Sequence, residues 1–272
     1  MCRNSLPPTA SYLKVCEDAA RAAGGILKEK VGKVTFREKG RADLVTEADT
    51  QAQETIRRIL GEAFPEHGFL GEESPGAFAG SYRDNQAPFC WIVDPLDGTT
   101  NFVHQVPHFC TSIALARGNE LLCGVIYNPV TEEFFSAERG QGAFLNGGRI
   151  YVSEVREPKD SLVAVGFPTN TQPDSEDLQA FLKAVPIAQA VRRTGSTALN
   201  MAYVAAGRFD AMWGFSTNAW DIAAGILLLQ EAGGIIISTD GGPVSLENPR
   251  FLCAANETLL NGWAKILLNG NE

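Results

Sequence analysis

Histidine, paired cysteine and basic charge are all scarce in this chain. Only three of its 272 residues are histidines, His67, His104 and His108, and none stands in an H-E-x-x-H arrangement, so zinc lacks its usual ligand pattern. Cys2, Cys16, Cys90, Cys110, Cys123 and Cys253 include no C-x-x-C pair and sit mostly among apolar neighbours, the setting of reduced core thiols. No apolar run reaches the length of a bilayer span, and Met1 to Pro8 offers no signal-peptide core, so a cytoplasmic location away from membranes is expected. Lys and Arg number 23 against 32 Asp and Glu, a net charge of −9 that repels nucleic-acid backbones and excludes them as expected partners. An anionic small molecule needs local cations to bind here. In so acidic a chain, bound divalent metals are the natural source of that charge.

With 44% hydrophobic and 20% charged residues, the chain can bury a large core. An apolar stripe predicts a helix over Tyr12 to Val31, and a second helix spans Thr46 to Phe64, where Pro65 stops it. Phe89 to Val93 reads as a buried strand ending at Asp94-Pro95. Ser112 to Ala116, Leu121 to Asn128 and Glu133 to Ala137 read as an antiparallel meander, with a tight turn at Asn146-Gly147-Gly148. The second half predicts strands at Leu162 to Gly166, Phe209 to Trp213 and Ile235 to Ser238. Its helices are expected at Ser175 to Val185, Ser196 to Ala206 and Asp221 to Ala232. Repeats and low-complexity sequence are absent. The alternation implies a layered α/β architecture in two halves, 1–155 and 156–272.

The densest chemical signal is Trp91-Ile92-Val93-Asp94-Pro95-Leu96-Asp97-Gly98-Thr99-Thr100-Asn101-Phe102. Asp94 and Asp97, with the Leu96 carbonyl between them, offer the oxygen ligands that hard cations take. Gly98 and Thr99 then open a turn or helix whose N–H groups can face a phosphate. The same residues also read as an ordinary turn in which Asp97 caps a helix. Four other acids have two readings each: Asp49 as an exposed helix acid or a site residue, Glu72 and Glu73 as a solvated loop or ligands, and Asp221 as a helix N-cap or a ligand.

In order and rough spacing, Glu72-Glu73-Ser74, Asp94 to Phe102 and Trp220-Asp221-Ile222-Ala223-Ala224 resemble the signature motifs of the inositol monophosphatase family. Lys39-Gly40, Leu44 to Asp49 and Gly195-Ser196-Thr197-Ala198-Leu199-Asn200 extend the resemblance over nearly the whole chain. It implies a layered α/β/α/β/α sandwich of the inositol monophosphatase and fructose-1,6-bisphosphatase type, with the metal site between the halves. It also implies Mg2+-dependent hydrolysis of a small phosphate ester by direct in-line attack of metal-activated water, with two to three Mg2+ ions. On that resemblance Glu72, Asp94 and the Leu96 carbonyl hold one ion and Asp94, Asp97 and Asp221 a second, while Glu72 shares a weaker third. Thr99, paired with Asp49 and assisted by Glu72, orients and deprotonates the water. The backbone of Gly98 and Thr99 cradles the phosphate, with Asp97, Ser196 and Asp221 on the substrate side. Glu73 has a supporting place, and His104 and His108 read as packing or hydrogen-bonding residues. Lithium sensitivity and a homodimer are further implications.

Inositol-directed members of that family carry a Glu seven positions before the Asp of the Trp-Asp motif, where this chain has Gly214. It also has Asn218 three positions before Asp221, and Ser196-Thr197 in place of Thr-Ala. A glycine offers a polyol no side-chain hydrogen bond. The substrate is therefore left open between an inositol phosphate or related sugar or polyol phosphate and the esters other members hydrolyse: histidinol phosphate, fructose 1,6-bisphosphate and nucleotide phosphates. Arg192 and Arg193 either meet a second anionic group or are solvated strand-end charges. Aspartate-nucleophile phosphatases place one residue between their two acids. Here two intervene, and no companion lysine motif is present. A catalytically silent metal-bound scaffold would lack a metal acid or Thr99, and none is missing.

Overall fold

The computed structural model describes residues 9–33, 36–40, 43–74, 87–168 and 171–268. Cys2 lies outside them, and so does the side chain of Lys39. The first apolar stripe forms α1 (Thr9–Lys30), burying Cys16, Ala19, Ala20, Ala23 and Leu27 at three- and four-residue spacing. A two-stranded antiparallel ribbon, β1 (Phe36–Gly40) and β2 (Asp43–Thr46), leads into α2 (Glu47–Ala63). Thr46 and Asp49 start α2 with a reciprocal capping box, and Phe64 ends it just before Pro65.

The larger sheet has seven strands in sequence order. Strand β3 (Gly68–Gly71) lies parallel to β4 (Phe89–Asp97). After α3 (Thr99–Val103), an antiparallel meander follows through β5 (Cys110–Arg117), β6 (Glu120–Asn128), β7 (Glu133–Glu138), β8 (Gly142–Leu145) and β9 (Gly148–Arg149). Asn146 and Gly147 both have positive φ, 49° and 81°, as a tight hairpin turn between right-twisted strands requires.

The chain continues through β10 (Leu162–Gly166), α4 (Glu176–Ala184), β11 (Ala190–Arg192), α5 (Thr197–Ala205), β12 (Ala211–Gly214), α6 (Ala219–Glu231), β13 (Ile235–Ser238), β14 (Phe251–Ala254) and α7 (Glu257–Leu267), whose five strands form the smaller sheet. Its order is β11-β10-β12-β14-β13, with β10 parallel to β11 and β12 and the last two strands antiparallel.

Strand alternation sorts the core into three zones. Trp91, Val93, Ile113 and Leu115 face α1 and α2, whereas Ile92, Ala114, Ile126 and Phe135 face α5 and α6. Helix α6 is apolar on every side because it lies between the two sheets, where Met212 and Cys253 meet it from the smaller one. Val163, Trp213 and Leu252 point outward to Leu259, Trp263 and the rest of the outer layer of α4 and α7. The result is an α/β/α/β/α sandwich. Cys16, Cys90, Cys110, Cys123 and Cys253 are buried free thiols. No helix among the described residues is long and apolar enough to cross a membrane.

Three expected elements differ in detail. The buried strand does not stop at Asp94: β4 passes through Pro95 to Asp97, with a register break against β5 where proline has no N–H to donate. The strand expected over Phe209 to Trp213 starts at Ala211, since the Phe209 N–H turns back to the Tyr203 carbonyl of α5 at 3.2 Å. Ile235 to Ser238 is only half buried because β13 is a sheet edge.

Candidate active site

The parallel register of β3 on β4 pairs Gly71 with Val93, and the Glu72 N–H donates to the Val93 carbonyl at 3.1 Å. Glu72 is thereby carried to the side of Asp94. The Glu73 N–H donates to Gln53 Oε1 at 3.0 Å, so α2 holds this loop from behind. The Asp94 side chain is 2% exposed and accepts the Leu96 N–H at 3.0 Å, a local turn that tips the Leu96 carbonyl toward Thr99. Burial pushes the Asp94 carboxyl well above the usual carboxylate range, and Glu72, Asp97 and Asp221 push it the same way.

Asp97 does not cap the helix that follows it. Its Oδ2 accepts Ser196 Oγ at 2.6 Å and the Ala198 N–H at 2.7 Å, so it caps α5 from across the molecule. Burial raises its carboxyl, and the donors of Ser196, Thr197, Ala198 and Leu199 oppose that rise. Nor is Asp221 an N-cap. Asn218 takes that place and Asp221 is the third helical residue, accepting the Asn218 N–H at 2.7 Å in a capping box. Burial, then the charge of Asp97, pushes Asp221 up to about 7.

Asp49 is buried rather than an exposed helix acid. Oδ2 takes the Thr46 N–H at 2.8 Å and its hydroxyl at 2.5 Å, and Oδ1 takes Thr99 Oγ1 at 3.3 Å. Burial outweighs the Thr46 bonds and pushes its carboxyl up to about 6. Thr99 Oγ1 also lies 3.2 Å from the Leu96 carbonyl, so its one proton is placed between the two acceptors. Gly98 starts α3 at φ 97° with no side chain capping it, which leaves first-turn N–H groups open. At five residues this helix is too short for much of a dipole; the open N–H groups themselves are the local donors.

Glu72, Asp94, Asp97, Asp221, Thr99 and Asp49 are thus drawn to the end of β4 and the starts of α2, α5 and α6. As placed, no group of three Asp, Glu, His or Cys side chains among the described residues is arranged to hold an ion. The donor set nevertheless suits a hard cation. It is all oxygen, and burial is the largest cause raising each of Asp94, Asp97 and Asp221. His104 is exposed. His108 is partly buried beside Tyr203, away from these acids. Arg193 lies over the Phe167 ring at 4.5 Å. At Gly214 a Cβ would come within 2.8 Å of Thr217 Cγ2 and 3.0 Å of the Phe251 ring, so the place of a side chain there is already filled.

Sequence reasoning missed Gln53, Ser196 as the donor to Asp97, and Ser112, whose hydroxyl reaches the Trp220 carbonyl at 3.5 Å. Only the capping boxes left a local signal, in Thr46-x-x-Asp49 and Asn218-x-x-Asp221.

A model of the inositol monophosphatase family matches residues 9–270. The chain belongs to the inositol monophosphatase family. An inositol-1-monophosphatase of Caulobacter vibrioides is 41% identical, covering 89% of this chain and 95% of that one. Nus factor SuhB of Pseudomonas aeruginosa is 43% identical over 86% and 88% of the two chains. Among solved structures, the extragenic suppressor protein SuhB of Bartonella henselae superimposes with a TM-score of 0.87 at 37% identity, covering 96% of this chain and all of that one. The Thermotoga maritima inositol monophosphatase gives 0.83 at 32% identity, covering 94% and 96%. This inositol monophosphatase family member is a phosphoric monoester hydrolase.

Proposed function

We propose that this hydrolase cleaves a small phosphate monoester, an inositol phosphate or related sugar or polyol phosphate, with Mg2+ and by direct attack of water. The observation that carries the reading is Asp94, a carboxyl 2% exposed and crowded by Glu72, Asp97 and Asp221, an arrangement unfavourable when ionised without a cation. Glu72, Asp94 and the Leu96 carbonyl would hold one Mg2+, Asp94, Asp97 and Asp221 a second, and Glu72 a weaker third. When bound, these ions supply charge to neutralise phosphate oxygens and acidify water.

The chain's own groups do the rest. The open N–H groups of Gly98 and Thr99 orient the phosphate, with Asp97, Ser196 and Asp221 on the side of the alcohol. Thr99 Oγ1, already donating to Asp49, accepts a hydrogen bond from water and holds it for in-line attack. Glu72 assists. A carboxyl at about 6 suits Asp49 to take the proton near neutral pH. Because Gly214 offers a polyol no side-chain carboxylate, histidinol phosphate, fructose 1,6-bisphosphate and nucleotide phosphates are the alternative substrates.

Phosphate release from inositol 1-phosphate and each alternative, with MgCl2 or with EDTA, tests the reading. Mg2+-dependent turnover of at least one ester supports it, and silence across the panel in Mg2+ refutes it, favouring a silent scaffold. A second, non-catalytic role is raised by the Pseudomonas relative named as a Nus factor, and co-purification of transcription proteins tests it. We also propose a cytoplasmic homodimer: the five buried free thiols fit a reducing compartment, and a monomeric mass in solution would reject the dimer.

A further inference from the structure

Two of the stretches that form the site lie far apart in sequence, the Asp97–Asn101 turn and the Thr194–Ala198 loop. One side-chain amide lies where they meet. Asn101 Nδ2 donates to the His108 carbonyl at 2.7 Å and to the Thr194 carbonyl at 2.8 Å, so both hydrogens of one planar NH2 group are used. The approach is close because both partners are glycine-lined. Gly195 sits at φ +92°, and a Cβ on it would come within 2.9 Å of Asn101 Nδ2. Gly98 sits at φ +97°, and a Cβ there would lie 3.1 Å from the His108 carbonyl and 3.3 Å from that of Gly195. On its other side the loop is tied by Thr194 Oγ1 donating to Asn200 Oδ1 at 2.5 Å. That tie runs to α5, whereas the Asn101 amide joins the loop to the turn that carries Asp97.

The loop so held delivers Ser196 Oγ and the Ala198 N–H to Asp97 Oδ2 at 2.6 and 2.7 Å. Where the loop sits therefore decides how the Asp97 carboxylate is turned. We propose that Asn101 is a positioning residue, holding the Ser196 loop against the Gly98 turn so that Asp97 is pre-set for a divalent cation. This rests on the metal reading above. Asn101 touches neither substrate nor ion in this account; it acts through Ser196 and Asp97.

Asn101→Asp keeps the shape but turns an acceptor toward two carbonyl oxygens, and Asn101→Ala removes both donors. Mg2+ binding to the full chain is measured calorimetrically without substrate, alongside melting temperature and the dependence of turnover on Mg2+. Leu260→Ala, in the buried outer layer, serves as a control of comparable stability loss. The expected result is Mg2+ affinity weakened about tenfold or more in both Asn101 variants, the scale seen when a ligand's hydrogen-bonded support is removed. Leu260→Ala should keep the wild-type Mg2+ affinity. Asn101→Ser, which retains one hydroxyl donor, should fall between and keeps the test usable should the Asp variant not fold. Mg2+ affinity within twofold of wild type in the Asn101 variants, or equal weakening in Leu260→Ala, overturns the proposal. Absence of Mg2+ binding in the wild type itself overturns the metal reading instead.

Discussion

Asp221→Asn should abolish turnover and, in the metal-free protein at pH 8, make the fold more stable. The carboxyl is pushed from 3.8 to about 7, chiefly by burial and then by Asp97. Because the folded value lies above the unfolded one, the stability it contributes is fully present below about pH 4 and is lost as pH rises through about 7. At 1.36 kcal/mol per pH unit, that loss is at most about 4 kcal/mol. Its partial exposure and its sharing of charge with Asp97 reduce the expected gain to about 2 kcal/mol. Asparagine keeps an oxygen to accept the Asn218 N–H, so the helix start survives the exchange. The assay is urea denaturation after chelation, at pH 5, 6, 7 and 8, for both proteins. Wild-type stability should fall across that range, with Asp221→Asn falling less steeply and crossing above it, and 10 mM Mg2+ should restore the wild type at pH 8. A variant less stable than wild type at pH 8 without metal would refute the reasoning.

Thr99→Val keeps the size of the side chain but removes the proton given to Asp49 and Leu96; kcat should drop about 10²–10³-fold with little change in melting temperature, and a drop below fivefold counts against the water-positioning role. Asp94→Asn should eliminate activity while leaving circular dichroism unchanged, since it removes a buried charge that its neighbours repel; retained turnover contradicts the ligand assignment. Lithium should inhibit phosphate release at millimolar concentration by competing for a Mg2+ place, and indifference to high millimolar LiCl rejects that expectation.

The elements legible in the sequence were those whose instructions are local. The stripe of α1, the capped start of α2, the meander of β5 to β7 with its turns, and the uniformly apolar α6 all declare themselves within a window of their own length. Strand β3 escaped notice because four residues, two of them glycine, carry no periodicity. Strand β14 and helix α7 are not among the expected elements, although Asn256 caps the helix and Leu259, Leu260, Trp263 and Leu267 mark its buried face. Pro95 hid the last part of β4, since a proline within a strand pattern ordinarily ends it. At the site, the acids were legible as an ordered set of motifs. Their bonding was not: the donors to Asp97 come from a loop about a hundred residues away, and no local pattern foretells such a contact.

The metal assignment is tested most directly by soaking crystals in Mn2+ near pH 7.5 and mapping its anomalous scattering. One peak among Glu72, Asp94 and the Leu96 carbonyl and another among Asp94, Asp97 and Asp221 are predicted. An occupied ion away from these groups, or no ion at saturating Mn2+, would contradict the account.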